Sequence, residues 1–312
     1  MRGDSANARL VGIDWGTTNR RAYVLDSTGE CLRRHEDASG TLACSGQFMP
    51  SLQDLLEQLQ VPPMTPVLMS GMVGSAQGWQ QVPYLDCAVP LARLPQAAVP
   101  VRDAAPGCNW RIVPGYRCGN GQPGGVDVMR GEETQLLGAL ALGHTDGWMV
   151  LPGTHCKWVL LRQGRIVRLC TYMTGELFAM LAAAGTLAPL MALGPDGDPA
   201  ALAQGAAMAR RLAPLSHSLF SIRAAAMAGT MPATQVRSCV SGLLVGTEFA
   251  AAQQHARTDT EAGAAAIRLV ASSSLSGVYA TVADLFNVRA TLLDPDTVYC
   301  AALAQFMGTA TI

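Results

Sequence analysis

A short pattern near the start of the chain recurs near its middle, and this recurrence limits the fold more than any other feature. Leu10 to Trp15 reads as a strand, the small residues Gly16-Thr17-Thr18-Asn19 as a turn, and Arg21 to Leu25 as a second strand. Ser27-Thr28-Gly29 turns again, and Cys31 to His35 forms a third strand. Trp148 to Cys170 repeats that order: strand to Leu151, turn Pro152-Gly153-Thr154-His155, strand Cys156 to Leu161, turn Gln163-Gly164, strand Arg165 to Cys170. Laid over each other, Gly16-Thr17-Thr18-Asn19-Arg20 falls on Gly153-Thr154-His155-Cys156-Lys157. Such short connections make each unit an antiparallel meander. The period is domain-sized. Two related domains are therefore expected in this chain of 312 residues, over 1–140 and 141–312.

The rest of the chain stays mixed α/β. Pro50 to Leu59 has helical spacing, with Leu52, Leu55, Leu56 and Leu59 on one face. Val67 to Ser70 and Trp110 to Val113 read as strands, and Glu132 to Leu142 as a helix. Beyond the second unit, helices are expected at about Ala200 to Leu212, Leu219 to Ala228 and Val240 to Gln254. A buried strand at Ile267 to Ala271 follows, then helices at Ser276 to Leu285 and Thr297 to Phe306, the last packing back on the first domain.

Composition excludes several classes. With 49% hydrophobic and 14% charged residues, the chain can build sizeable cores and is not disordered. A net charge of −1 leaves no basic face for nucleic acid. The most membrane-like stretch, Leu177 to Leu193, is interrupted by Gly185, Thr186 and Pro189 and flanked by Glu176 and Asp196; a buried helix or helix pair is expected there, not a span. Met1 to Leu10 is polar and not a secretory signal, which points to the cytoplasm. The nine cysteines are scattered, with no C-x-x-C, and read as reduced thiols. The five histidines are also spread out, so zinc is not expected.

Several segments could carry chemistry. Gly16 lets a backbone N–H approach an anion, and the Thr17 and Thr18 hydroxyls can donate to it, so the hairpin is a small phosphate cradle. A single such turn is equally an ordinary Ser/Thr turn; its second copy at Gly153-Thr154 favours the cradle, since two of them could grip one polyphosphate. Asp14 could hold Mg²⁺ through water, because Mg²⁺ takes few carboxylates. Phosphoryl transfer to a hydroxyl also needs a carboxylate that accepts the proton. Glu132 and Glu133 open a helix, where they are either that base or a simple acidic first turn. Ser272-Ser273-Ser274 ends a strand, as a nucleotide contact or an N-cap. Gly71-Met72-Val73-Gly74-Ser75, with Trp79 and Tyr84, suits a carbohydrate-like ligand or a packed loop. Gly119 to Gly124 matches G-x-G-x-x-G but contains a proline and opens no helix, so it reads as a loop. No G-x-x-x-x-G-K-[ST] occurs, so a P-loop is excluded.

These features together resemble the sugar-kinase, Hsp70 and actin superfamily. The blocks "IDWGTTNRRA", "SGMVGSAQGWQQVPY", "MRGEETQLLGA", "LPGTHCKWV", "YMTGEL" and "SGLLVGTE" resemble the 2-dehydro-3-deoxygalactonokinase family, in order from residue 13 to residue 248. The resemblance implies two ribonuclease-H-like domains with a cleft between them. It also implies transfer of the ATP γ-phosphate to the terminal hydroxyl of 2-dehydro-3-deoxy-D-galactonate, in galactonate or galactose breakdown. Carried over by position, Asp14 with Gly16, Thr17 and Thr18 matches the first phosphate motif, and Gly153 and Thr154 match the second. The superfamily's catalytic Asp falls nearest Glu133, which is expected to take the hydroxyl proton, with Glu132 its neighbour. The turn at Ser272 to Ser274 lacks the glycines common there. The expected substrate contacts are Asn19, Arg20, Gly71, Met72, Ser75, Trp79, Arg130, Glu132 and Lys157, with Arg20, Arg130 or Lys157 pairing the sugar-acid carboxylate. ATP and Mg²⁺ are the expected cofactors. Other acceptors on the same fold, or a non-catalytic sugar sensor, stay open, as does a homodimer.

Overall fold

The computed structural model describes residues 7–44, 46–119, 125–258 and 266–308. The chain divides into two units. The first comprises Met1–Asp146, Leu161–Leu169 and Pro295–Ile312, and the second Gly147–Leu160 and Cys170–Asp294.

The first unit opens with β1 (Leu10–Trp15), β2 (Arg20–Leu25) and β3 (Cys31–Asp37), a meander with antiparallel pairing throughout. Two helices follow, α1 (Thr41–Cys44) and α2 (Phe48–Leu59), then β4 (Val67–Gly71), β5 (Leu85–Asp86), β6 (Val99–Pro100) and β7 (Trp110–Ile112). The main sheet runs β3-β2-β1-β4-β7-β6, with β4 parallel to both β1 and β7. Helix α2 buries Phe48, Leu52, Leu55 and Leu59, one stripe at helical spacing, in a core with Val11, Ile13 and Trp15 of β1. A small second sheet has the order β5-β8-β9, where β8 is Tyr116–Gly119 and β9 is Val126–Met129. Its last strand leads directly into α3 (Glu132–Ala141).

The second unit repeats the plan, apart from Leu161–Leu169, which group with the first. β10 (Gly147–Leu151), β11 (Cys156–Arg162) and β12 (Arg165–Tyr172) precede a helical stretch of α4 (Thr174–Ala183), α5 (Ala188–Met191), α6 (Pro199–Arg210), α7 (Leu215–Met227) and α8 (Val236–Thr258). β13 (Ala266–Val270), α9 (Ser273–Leu285) and β14 (Arg289–Leu293) close it. The sheet order is β12-β11-β10-β13-β14, with β13 parallel to β10 and β14. Both sheets thus place three meander strands first and two parallel strands beyond the opening one, which is the ribonuclease-H-like α/β arrangement. Edge-to-face contacts join Trp158 to Trp148 and to Phe249 in the core of this unit. The final helix, α10 (Pro295–Met307), belongs to the first unit, where the Tyr299 and Ser70 hydroxyls meet at 2.8 Å.

Three expectations need correction. Residues 177–193 form a helix pair, but no residue of α4 is buried and Met180 is 59% exposed. Among the described residues no helix is long and apolar enough to cross a membrane. Cys87 and Cys118 form a disulfide, whereas all nine cysteines read as thiols; the parallel pairing of β5 with β8 brings together two residues 31 apart in sequence. Strand β14 escaped detection because most of its side chains are not buried, leaving little apolar pattern. Asn120 to Gly124, most of the glycine-rich loop, lies outside the described residues.

Candidate active site

In the first unit the turn after β1 closes through the Gly16 N–H, which donates to the Asn19 carbonyl at 2.9 Å. The start of α1 takes the turn's own carbonyls: the N–H groups of Gly40, Thr41 and Leu42 donate to Thr18, Gly16 and Thr17 at 3.2, 2.9 and 3.1 Å. Thr17, Thr18 and Asn19 remain exposed.

Two glycines draw other segments against the end of β1. Gly71 has φ +89°, and a Cβ there would lie 2.8 Å from the Trp15 carbonyl and 3.4 Å from Asp14 Oδ1. Gly131 has φ +112°, and its Cβ would lie 3.2 Å from Gly71 Cα. Both conformations are left-handed and favour glycine. The ends of β1 and β4 and the start of α3 thus converge, and with them Asp14, Glu132 and Glu133.

These carboxylates differ in setting. Asp14 is half-buried; its carboxyl is pushed up to about 6 by burial, with Arg21 opposing and the charges of Glu132 and Glu36 adding to the rise. Glu133 is fully buried; its Oε2 accepts the Gly131 N–H at 2.7 Å and its Oε1 the Thr134 hydroxyl at 3.3 Å. Burial, then the charge of Glu132, pushes it up to about 8. Glu132 is half-buried and accepts the Arg130 N–H at 3.1 Å.

The three candidate cations also separate. Arg130 donates through Nη2 to the Val82 carbonyl at 2.7 Å and lies over the Tyr84 ring at 4.3 Å. Its Nε and Nη1, and the Ser75 hydroxyl, are buried without a hydrogen-bond partner. Met72 and Gly74 form a short helical turn in this loop. Arg20 is buried, with Nη2 on Asp37 at 2.6 Å and Nη1 on the Ser51 hydroxyl at 2.9 Å. Lys157, its counterpart in the second unit, is buried with Nζ donating to the Thr171 hydroxyl at 3.0 Å. Trp79 stacks on Phe48 with ring centroids 6.2 Å apart and packs against the core.

In the second unit Gly153 and Thr154 are exposed, and the start of α4 buttresses their turn as α1 does the first. The Glu176 N–H donates to the Thr154 carbonyl at 2.9 Å, and His155 meets the Glu176 carboxylate at 2.6 Å. Beside this turn lies a cavity of about 230 Å³, lined by Gly153, Phe178, Leu244, Val245, Ser274 and Val278 among others. Of the three serines expected at the nucleotide, Ser274 reaches this cavity. Ser272 caps α9 by position, its hydroxyl 3.2 Å from that of Ser274, and Ser273 is exposed. Phe178 had no sequence signal, whereas Thr174 lies in the block YMTGEL. Glu248, a fully buried carboxylate in α8, had one: a lone charge within the apolar run Gly242 to Ala252.

Two ribonuclease-H-like units, each with a buttressed Gly-Thr turn, define a protein of the sugar-kinase, Hsp70 and actin superfamily. Carboxylates at the strand ends of the first unit and a mostly apolar cavity beside the turn of the second agree with that class. More narrowly, the chain belongs to the 2-keto-3-deoxy-galactonokinase family, whose sequence model matches residues 14–306. It is 33% identical over 299 residues to the 2-dehydro-3-deoxygalactonokinase of Escherichia coli (strain K12), covering 95% of this chain and 96% of that protein. It is 32% identical over 302 residues to a probable 2-dehydro-3-deoxygalactonokinase of Rhizobium meliloti (strain 1021), covering 94% and 95%. A crystal structure of a Sinorhizobium meliloti protein described by the same activity superposes with a TM-score of 0.86 at 30% identity, covering 95% of each chain.

Proposed function

We propose that this chain transfers the γ-phosphate of ATP to the terminal hydroxyl of 2-dehydro-3-deoxy-D-galactonate, giving ADP and the 6-phospho sugar acid. Family membership supports the reaction. The observation that carries the site is the convergence of Asp14 and Glu132 around Gly71 and Gly131, next in chain to the unpaired guanidinium edge of Arg130.

The sugar-acid carboxylate goes to Arg130, because Arg20 and Lys157 are buried, Arg20 in an ion pair with Asp37, while Arg130 is half-buried, has no carboxylate partner within salt-bridge distance among the described residues and keeps both Nε and Nη1 without a hydrogen bond. Gly71, Met72 and Ser75 begin the segment whose Val82 carbonyl and Tyr84 ring hold Arg130. The proton of the attacking hydroxyl goes to Glu132. Exposure supports this choice over Glu133, whose carboxylate is fully buried on Gly131 and Thr134 and largely protonated at neutral pH. The new oxygen–phosphorus bond forms as the bond from the γ-phosphorus to the bridging oxygen breaks, and ADP leaves with that electron pair.

Among the described residues no three His, Cys, Asp or Glu converge as a metal site. Mg²⁺ nonetheless fits, because it needs only one or two carboxylates beside the phosphates. Asp14, an oxygen donor whose carboxylate suffers from the charge of Glu132, would hold it through water. There the ion would neutralise phosphate charge. In the second unit Gly153 and Thr154 take phosphate beside the cavity that takes the nucleoside of ATP; in the first unit Thr17 and Thr18 take phosphate. A cytoplasmic setting accompanies this reading.

The test is ADP release measured with MgATP and 2-dehydro-3-deoxygalactonate, with its gluconate-derived epimer, and with no acceptor. Acceptor-dependent release with the galactonate compound is expected. Equal release without acceptor would make the protein an ATPase and overturn the proposal.

A further inference from the structure

We infer that Glu248 is a positioning residue for the nucleotide: its buried carboxylate holds Thr174 and Tyr279 in the wall of the second-unit cavity and so sets ATP affinity. This rests on the reading that the cavity takes the nucleoside.

Glu248 lies in α8 with no exposed surface. Its Oε1 accepts the Tyr279 hydroxyl at 2.8 Å and the Thr174 hydroxyl, and its Oε2 accepts the Trp158 Nε1–H at 2.7 Å. The Cys156 thiol donates to it as well. One carboxylate thereby ties together β11, α4, α8 and α9. Three of these, α4, α8 and α9, wall the cavity through Thr174, Val245 and Tyr279 among others. The donors are neutral, and burial raises the carboxyl above its ordinary value. An apolar side chain would fill this space without that desolvation cost. A group that only accepts fixes what faces it: Trp158 can only donate, and both hydroxyls must point their hydrogens inward.

The effect reaches the phosphate turn. Thr174 is followed by Gly175, where a Cβ would lie 2.3 Å from the Gly153 carbonyl, so α4 and the second turn are in close contact. Holding Thr174 holds this contact. Every group named lies in the second unit, whereas Arg130 and Glu132 lie in the first.

Glu248→Gln keeps the volume but supplies one accepting oxygen. Trp158 requires that oxygen, so the amide N–H₂ faces the two hydroxyls and reverses their polarity. ADP affinity by calorimetry and the KM for ATP are expected to weaken on the order of tenfold in Glu248→Gln. Tyr279→Phe and Thr174→Val each weaken them less, and the KM for the sugar acid stays unchanged. A purely structural role would lower the melting temperature and leave the ATP KM alone. An unchanged ATP KM in both Glu248→Gln and Tyr279→Phe overturns the inference, and the milder Tyr279→Phe decides it if Glu248→Gln fails to fold. Ser241→Trp, which fills the cavity, tests the underlying reading. Unchanged ADP affinity there removes the nucleotide from the cavity. Lost affinity there with normal affinity in Glu248→Gln and Tyr279→Phe removes only the positioning role.

Discussion

The Gly131 N–H donates at 2.7 Å to the carboxylate of Glu133, two residues further along, which closes the first turn of α3 from a buried position. This bond separates the settings of two adjacent glutamates. Glu133 shapes the backbone that brings Gly131 against Gly71, and Glu132 is left half-buried beside Asp14.

Stability should therefore respond to pH through Glu133. Its carboxyl, ordinarily near 4.5, is pushed up to about 8 in the folded chain by burial. Between those values the folded state holds a proton that the unfolded chain releases. Stability is then full below about 4.5 and falls as pH rises through about 8. Glu133→Gln cannot ionise and should flatten this fall. Thermal melts from pH 6 to 9 read it, and equal slopes in both proteins would refute the role.

Turnover should separate the glutamates. Glu132→Gln is expected to lower kcat roughly 10² to 10⁴-fold, with ATP KM little changed. Glu133→Gln should cost less. Steady-state kinetics of the two variants decide the assignment, and the reverse order would return the base to Glu133.

Arg130→Ala should raise the KM for the sugar acid on the order of 10 to 100-fold, since a charge-assisted hydrogen bond is lost. Arg20→Ala should act instead on stability, because its buried guanidinium holds Asp37 and Ser51 through Nη2 and Nη1. Acceptor titrations and melting curves of both variants test this, and an unchanged acceptor KM in Arg130→Ala would exclude it.

Thr154→Ala should weaken ATP binding, and Gly175→Ala should do so as well, by pressing a Cβ to 2.3 Å from the Gly153 carbonyl. Nucleotide titration measures both. Normal affinity in both variants would take the second turn out of the site.

Thiol titration of the unfolded, unreduced protein should count seven cysteines, with Cys87 and Cys118 added only after reduction. Nine thiols before reduction would remove the disulfide.

Local patterns were legible wherever neighbours in sequence decide the outcome. β1 runs over Leu10–Trp15 as its apolar run indicates, and α2 buries the leucine stripe that its spacing marks. The acidic opening of α3 also stood out. Where partners come from afar, the sequence was silent. Trp79 shows no partner in its own sequence neighbourhood, yet its ring stacks on Phe48, 31 positions earlier in the chain. Glu248 shows as a charge in an apolar helix and as the end of the block SGLLVGTE, but its partners stay hidden, because Trp158, Thr174 and Tyr279 reach it from three other elements.

By itself the sequence determined the duplicated strand, Gly-Thr turn, strand plan and the residue types that a phosphoryl-transfer site requires. Backbone alternation and turn chemistry are properties of adjacent residues, so they survive in one dimension. Only the tertiary structure decided how the members of each similar set differ in setting: Arg20 and Lys157 are buried and Arg130 is half-buried, Glu133 is buried and Glu132 half-buried, and of the three serines Ser274 lines the second-unit cavity. Setting depends on burial and on hydrogen-bond partners, and both are supplied by residues that only the fold brings near.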